Sequence, residues 1–198
     1  MDDFGGQLAR WGELCGQTGE TLWMDAGESV EKPAFTRHPM FRPDLTATRI
    51  TDVSLSALTE RGIRGLIIDL DNTVCAYRSP ALIEGVREWV AAAKEAGFVL
   101  VIVSNNFPER VAAIGRELGI PGVPSALKPL PGAFLRALRL LGTPRRQTAI
   151  IGDQLFTDVL GAKLLGMHAV LTEPIVASDF PLTRVLRFME RAFFAREV

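Results

Sequence analysis

Three short apolar runs limit what this chain can fold into: Leu66-Ile67-Ile68, the stretch FVLVIVS at 98–104 and the stretch QTAIIGD at 147–153. Each is too short to form a core helix alone and too uniformly apolar for a strand with one wet face. They read as strands buried on both sides. The segments between them carry helical spacing instead. Residues 81–96 put Leu82, Val86, Trp89 and Val90 on one face, and Gly97 follows where a helix C-cap belongs. Further helices are expected over 54–61, from Pro108 onward, over 131–141 and over 156–166. The first strand is expected over 65–70, a short extended piece at 121–124 and a last strand at 167–172. Strands alternating with helices imply an α/β fold, a Rossmann-like doubly wound parallel sheet with helices on both faces.

In such sheets ligands bind outside the carboxyl ends of the strands, and the polar residues of interest fall there. The first strand runs into Asp69 and Asp71, with Thr73 close behind, and strict alternation would turn both acids to one side. The second delivers Ser104, Asn105 and Asn106 just ahead of a helix, where a hydroxyl and backbone N–H groups can receive an anion. Lys128, in SALKPLPG, is a point charge suited to a phosphoryl oxygen. The third apolar run ends at Asp153, with Asp158 five residues on. Four carboxylates at one edge repel one another unless a cation sits among them. All of them offer oxygen, so a hard ion such as Mg²⁺ is expected. A metal, an anion cradle and a spare carboxylate are the inventory of phosphoryl transfer.

The order DLDNT, SNN, LKP and GDQLFTD resembles the haloacid dehalogenase superfamily of phosphatases. More narrowly, residues 38–198 resemble its YqeG-type group, whose mitochondrial relatives dephosphorylate phosphatidylglycerophosphate. The resemblance implies a Mg²⁺-dependent phosphomonoester hydrolase. Asp69 would be the nucleophile that forms an aspartyl-phosphate, and Asp71 the general acid and base. Asp69, the Asp71 backbone carbonyl and Asp153 would ligate the metal, with Asp158 acting through a second layer or a water. Ser104, the Asn105 amide and Lys128 would grip the phosphate, and Thr73 would support the loop. Phosphatidylglycerophosphate is the expected substrate, with a soluble sugar phosphate or nucleotide as the alternative. A phospho-receiver module shares the Asp, metal and Lys set, but its acid pair precedes the phosphorylated Asp, whereas Asp153 and Asp158 here follow Lys128. A noncatalytic scaffold would not need every one of these groups.

Core elements fill the chain from Thr73 to Ser104 and from Ser104 to Lys128, so no cap domain is expected and the site should be open. Such a site suits a surface-bound substrate that itself excludes water. In PLTRVLRFMERAFFAREV a helix over 182–196 would set Leu182, Val185, Leu186, Met189 and Phe193 on one face, flanked by Arg184, Arg187, Arg191 and Arg196. A basic amphipathic helix of this kind can lie on an anionic membrane. Residues 1–37 form a polar, Gly-rich extension with Phe4, Leu8, Trp11 and Cys15 at helical spacing.

Hydrophobic residues make up 47% and charged ones 23%, as in globular proteins, and a net charge of −1 gives no reason to expect a nucleic-acid partner. Cys15 and Cys75 have no disulfide or metal spacing, the N-terminus lacks an apolar leader, and no apolar run approaches the roughly 20 residues of a membrane span. A cytoplasmic protein with peripheral membrane contact is the expectation. His168, in a buried-looking strand start, reads as a satisfied core residue, Gln154 as structural, and Cys75 as a thiol close enough to the site for reagents to inhibit.

Overall fold

The computed structural model describes residues 38–77 and 79–175. They form one parallel sheet of six strands: β1 (Leu45–Ala47), β2 (Gly65–Ile68), β3 (Val99–Val103), β4 (Gly122–Val123), β5 (Thr148–Gly152) and β6 (His168–Thr172). The order across the sheet is β1-β6-β5-β2-β3-β4. The chain therefore winds outward to one side of β2, then returns to build the other side. That reversal is the switch point at which α/β sheets hold ligands.

Alternation in β2 divides the core. Leu66 and Ile68 join a cluster with Trp89, Val90, Ile114 and Leu118, while Ile67 points into a second cluster with Phe134, Ala137 and Val159. Helices α1 (Leu55–Glu60), α2 (Val86–Glu95) and α3 (Pro108–Leu118) cover the first face. Helices α4 (Pro131–Leu141) and α5 (Leu160–Leu164) cover the second. Gly161 permits the close approach there, because a Cβ at that position would run into the ring of Phe134. Among the described residues, the β2–β3 and β3–β4 connections each carry a single α-helix and no inserted domain, so the fold is capless.

Several sequence expectations change at their edges. The first strand stops at Ile68, not at residue 70. The amides of Val74 and Cys75 both donate to the Leu70 carbonyl and wrap the chain into a turn. The helix expected over 81–96 begins only at Val86. Ile83 N–H donates to the Val74 carbonyl, tying the preceding residues to that turn, and Gly85 enters the helix at φ +82°. The segment expected to be α-helical over 156–166 opens as a turn of π-helix, Leu155–Val159. The edge strand β1 was not anticipated from the sequence. It bears on His168, which is not a satisfied core residue. His168 is half-exposed, with Nδ1 3.9 Å from an Asp44 oxygen and no hydrogen-bond partner. Asp44 is occupied by the Ala169 amide and by Lys163, each at 2.7 Å. The expected helices at 182–196 and around Phe4–Cys15 lie outside the described residues. No helix among those described is long and apolar enough to cross a membrane.

Candidate active site

Parallel register brings the strand ends level. Ile68 pairs with Ile102 on one side and Ile151 on the other, and the Asp69 amide donates to the Ile151 carbonyl at 2.9 Å. Asp69, Ser104 and Asp153 therefore leave three adjacent strands at one edge. Asp69 has the same parity as Ile67, which turns it toward the α4 and α5 face, and Lys128 and Asp158 meet it there.

The centre of the site is Lys128. Its Nζ lies 2.6 Å from Asp69 Oδ1 and 2.6 Å from Asp158 Oδ1, and all three side chains are at most 5% exposed. Oxygens of Asp69, Asp153 and Asp158 all come within 4.8 Å of one another. One ammonium therefore bridges two of the three clustered carboxylates in a low-dielectric pocket. Burial pushes the Asp69 carboxyl up to about 7 against the pull of Lys128, with the Asp158 charge adding to the rise. Burial, then the charges of Asp69 and Asp158, push Asp153 well above the usual carboxylate range. For Lys128, burial alone would favour the neutral amine. The Asp158 and Asp69 carboxylates outweigh it and hold the ammonium above its ordinary range.

Two details show that the cluster suits a divalent cation. Asp153 Oδ1 is buried with no hydrogen-bond partner, a costly state for a carboxylate oxygen unless a cation fills it. The donor set is all oxygen, as a hard ion prefers. Asp158 is held in place from two sides, by Lys128 and by the Gln154 amide at 3.2 Å. A Cβ on Gly152 would collide with the Asp158 carboxyl, so this close approach depends on glycine there. Gln154 supports the turn, accepting from the Thr157 hydroxyl at 3.2 Å.

The Asp71 carboxylate is set apart from this group. The strand ends at Ile68, so Asp71 stands in the turn that follows, and its carboxylate meets residues at the start of α3. Its oxygens accept from Asn106 Nδ2 and from Arg110, both at 2.8 Å. Arg110 was missed in reading the sequence. The available signal was a cation in the first turn of a helix, where the dipole disfavours it unless a nearby acid compensates.

Ser104 is buried, and its Oγ accepts from the Asn106 amide at 3.1 Å. Asn105 is tied to the other loop, since its Oδ1 accepts from the Lys128 amide at 2.8 Å. Thr73 is buried with an unpartnered hydroxyl. Asn72 takes the left-handed conformation at φ 58° that the tight turn requires. Cys75 is fully buried, and burial pushes its thiol up to about 11. The expected sensitivity to thiol reagents has no basis at such a residue.

Residues 18–166 match the family described as haloacid dehalogenase-like hydrolase. Over 151 residues the sequence is 40% identical to the "probable phosphatase YqeG" of Bacillus subtilis (strain 168), covering 76% of this chain and 88% of that protein. It is 30% identical over 164 residues to the chloroplastic phosphatidylglycerophosphate phosphatase 1 of Chlamydomonas reinhardtii, covering 78% of this chain. It is 22% identical over 196 residues to the chloroplastic/mitochondrial phosphatidylglycerophosphate phosphatase 1 of Arabidopsis thaliana, covering 94% of this chain. The chain spans 61% and 56% of the length of these two lipid phosphatases.

Proposed function

Because the chain belongs to the haloacid dehalogenase-like hydrolases and is a phosphatase, we propose that it removes the terminal phosphate of phosphatidylglycerophosphate, using Asp69 as nucleophile and Mg²⁺ as cofactor. The observation that carries the chemistry is the buried Lys128 bridging Asp69 and Asp158 beside the unpartnered Asp153 oxygen. The similarity to the two lipid phosphatases supports the substrate.

In this reading an Asp69 carboxylate oxygen attacks phosphorus, the bond from phosphorus to the ester oxygen breaks, and an aspartyl-phosphate forms. Asp71 gives its proton to the departing alkoxide. It then takes one from the water that attacks the aspartyl-phosphate, releasing inorganic phosphate and restoring Asp69. Asn106 and Arg110 hold the Asp71 carboxylate, and in this reading they keep it turned to the leaving group. Lys128, the Ser104 hydroxyl and the Asn105 amide receive the phosphoryl oxygens, and Thr73 steadies the turn behind Asp69. Asp69, Asp153, the Asp71 carbonyl and, less directly, Asp158 would hold Mg²⁺. Bound there, Mg²⁺ neutralises charge that builds on the transferring group.

Phosphate release from phosphatidylglycerophosphate in mixed micelles with Mg²⁺, measured beside a panel of sugar phosphates and nucleotides, tests the substrate. Turnover of the lipid well above the panel is expected. Activity confined to the soluble esters would remove the lipid and keep the chemistry.

The cation makes a separate prediction. An Asp69 carboxyl near 7 when folded, against an ordinary 3.8, means that the metal-free folded state binds the extra proton between these values. Its contribution to stability is therefore greatest at low pH and is lost as pH rises toward 7. Mg²⁺ replaces that proton, so its stabilising effect should grow with pH. At about 100 times its dissociation constant a ligand adds about 2.7 kcal/mol, or roughly 5 to 10 °C for a domain of this size. Thermal melts with and without MgCl₂ should show a shift of that order at pH 8 and a clearly smaller one at pH 5.5. Equal shifts at both would contradict the assignment of the cation to this carboxylate cluster.

A further inference from the structure

Three large apolar side chains stand exposed around the mouth of the site: Phe107 at 75%, Leu127 at 68% and Leu130 at 58%. Phe107 follows Asn106, which holds Asp71, and Leu127 and Leu130 flank Lys128. The two loops are joined directly, the Ser125 amide donating to the Asn106 carbonyl and the Lys128 amide to Asn105 Oδ1, and the second loop is closed on itself by the Leu130 amide donating to the Leu127 carbonyl. Each of the three sits where local preference calls for something small and polar. Phe107 and Leu130 are the N-cap residues of α3 and α4, and neither side chain makes a capping hydrogen bond. Leu127 is held at φ 54°, a left-handed conformation that suits Gly or Asn. Three breaches of local preference at one sheet edge, each presenting hydrocarbon to solvent, mark a surface kept for something other than stability.

We propose that Phe107, Leu127 and Leu130 form an interfacial rim that inserts into a lipid layer and seats the open site on it. The choice of a lipid layer over a protein partner rests on the lipid reading above. It also follows from the gradient of exposure. The three apolar residues are 58% to 75% exposed, the Arg110 side chain 20% and the Lys128 side chain 3%. A layer with acyl chains beneath its phosphates presents the matching order. A protein lying flat across the rim would close the mouth against the substrate.

The test uses the full chain and the triple variant Phe107→Ser, Leu127→Asn and Leu130→Ser, whose replacements all suit their backbone positions. Vesicles of phosphatidylglycerol and phosphatidylcholine should sediment the wild-type protein. The variant should partition about a hundredfold more weakly, as expected when three large apolar side chains no longer enter the interface. Its melting temperature should equal or exceed that of the wild type, and its turnover of p-nitrophenyl phosphate should be unchanged. A wild-type protein that ignores the vesicles, or a variant that sediments as well as the wild type, overturns the rim. So does a wild-type dimer that the variant splits without any vesicle binding, which would assign the rim to a second copy. The substrate reading fails separately. A protein that binds vesicles through the rim and releases no phosphate from the lipid keeps the rim. One that hydrolyses the lipid in micelles and partitions alike in both forms keeps the substrate and loses the rim.

Discussion

Asp69→Asn should abolish phosphate release, lowering turnover by about 10⁴-fold or more, the scale seen when a covalent nucleophile is removed. The substitution keeps the shape of the side chain and leaves an amide oxygen that can still accept from Lys128. It also removes one of three carboxylates that repel one another within 4.8 Å. The melting temperature of the D69N protein should therefore stay close to that of the wild type, so lost activity cannot be ascribed to lost structure. The shift caused by MgCl₂ should shrink at the same time, because a carboxylate in the cluster is gone. Burst measurements should find no phosphate attached to the variant. A D69N protein that keeps even a hundredth of wild-type turnover would show that the nucleophile lies elsewhere.

What the sequence revealed follows from which residues are fixed by strands. β2, β3 and β5 were readable because strands buried on both faces leave uninterrupted Leu, Ile and Val runs. The residues one position beyond them, Asp69, Ser104 and Asp153, could be placed at one edge from parallel geometry alone. Lys128 and Asp158 joined them in the structure, although neither lies on a strand. Legibility failed where short-range hydrogen bonds overrule periodicity. Asp71 was read from strand alternation, but the chain there is a turn that Val74 and Cys75 close on Leu70, and the partners of its carboxylate, Asn106 and Arg110, could not be read from a period of two. The π-turn at Leu155–Val159 has helical composition, and nothing in its residue types marks the wider winding that sets Asp158 under Gly152. β1 has three residues, none of them buried, too few for any period to show. The apolar rim was legible in principle, since Phe107 and Leu130 each precede a proline-led helix start, where a polar cap is the rule.

Lys128→Met should produce the largest combined loss. For activity, it removes the cation that would meet the phosphoryl oxygens, worth about 10² to 10³ in turnover for a preorganised electrostatic contact. For stability, methionine has a similar length and apolar stem but leaves Asp69 and Asp158 buried without their counter-charge. Breaking a buried pair in this way costs about 3 to 5 kcal/mol. The sign of the pH dependence separates this cause from simple misfit. Lys128 holds the Asp69 and Asp153 carboxyls down against burial, so without the ammonium both are driven further toward the protonated form and the folded variant takes up protons that the unfolded chain does not. Its deficit should therefore be largest near pH 8 and shrink as pH falls toward 5. A packing defect would cost the same at both. Mg²⁺ offers a second discrimination. By supplying positive charge to the same carboxylates, it should recover part of the lost melting temperature at pH 8 while leaving turnover low, because a cation in the acid cluster does not replace the one on the phosphate side. Full activity in the K128M protein would sink the role of Lys128. A stability deficit independent of pH would show that its partners are not charged as the geometry requires.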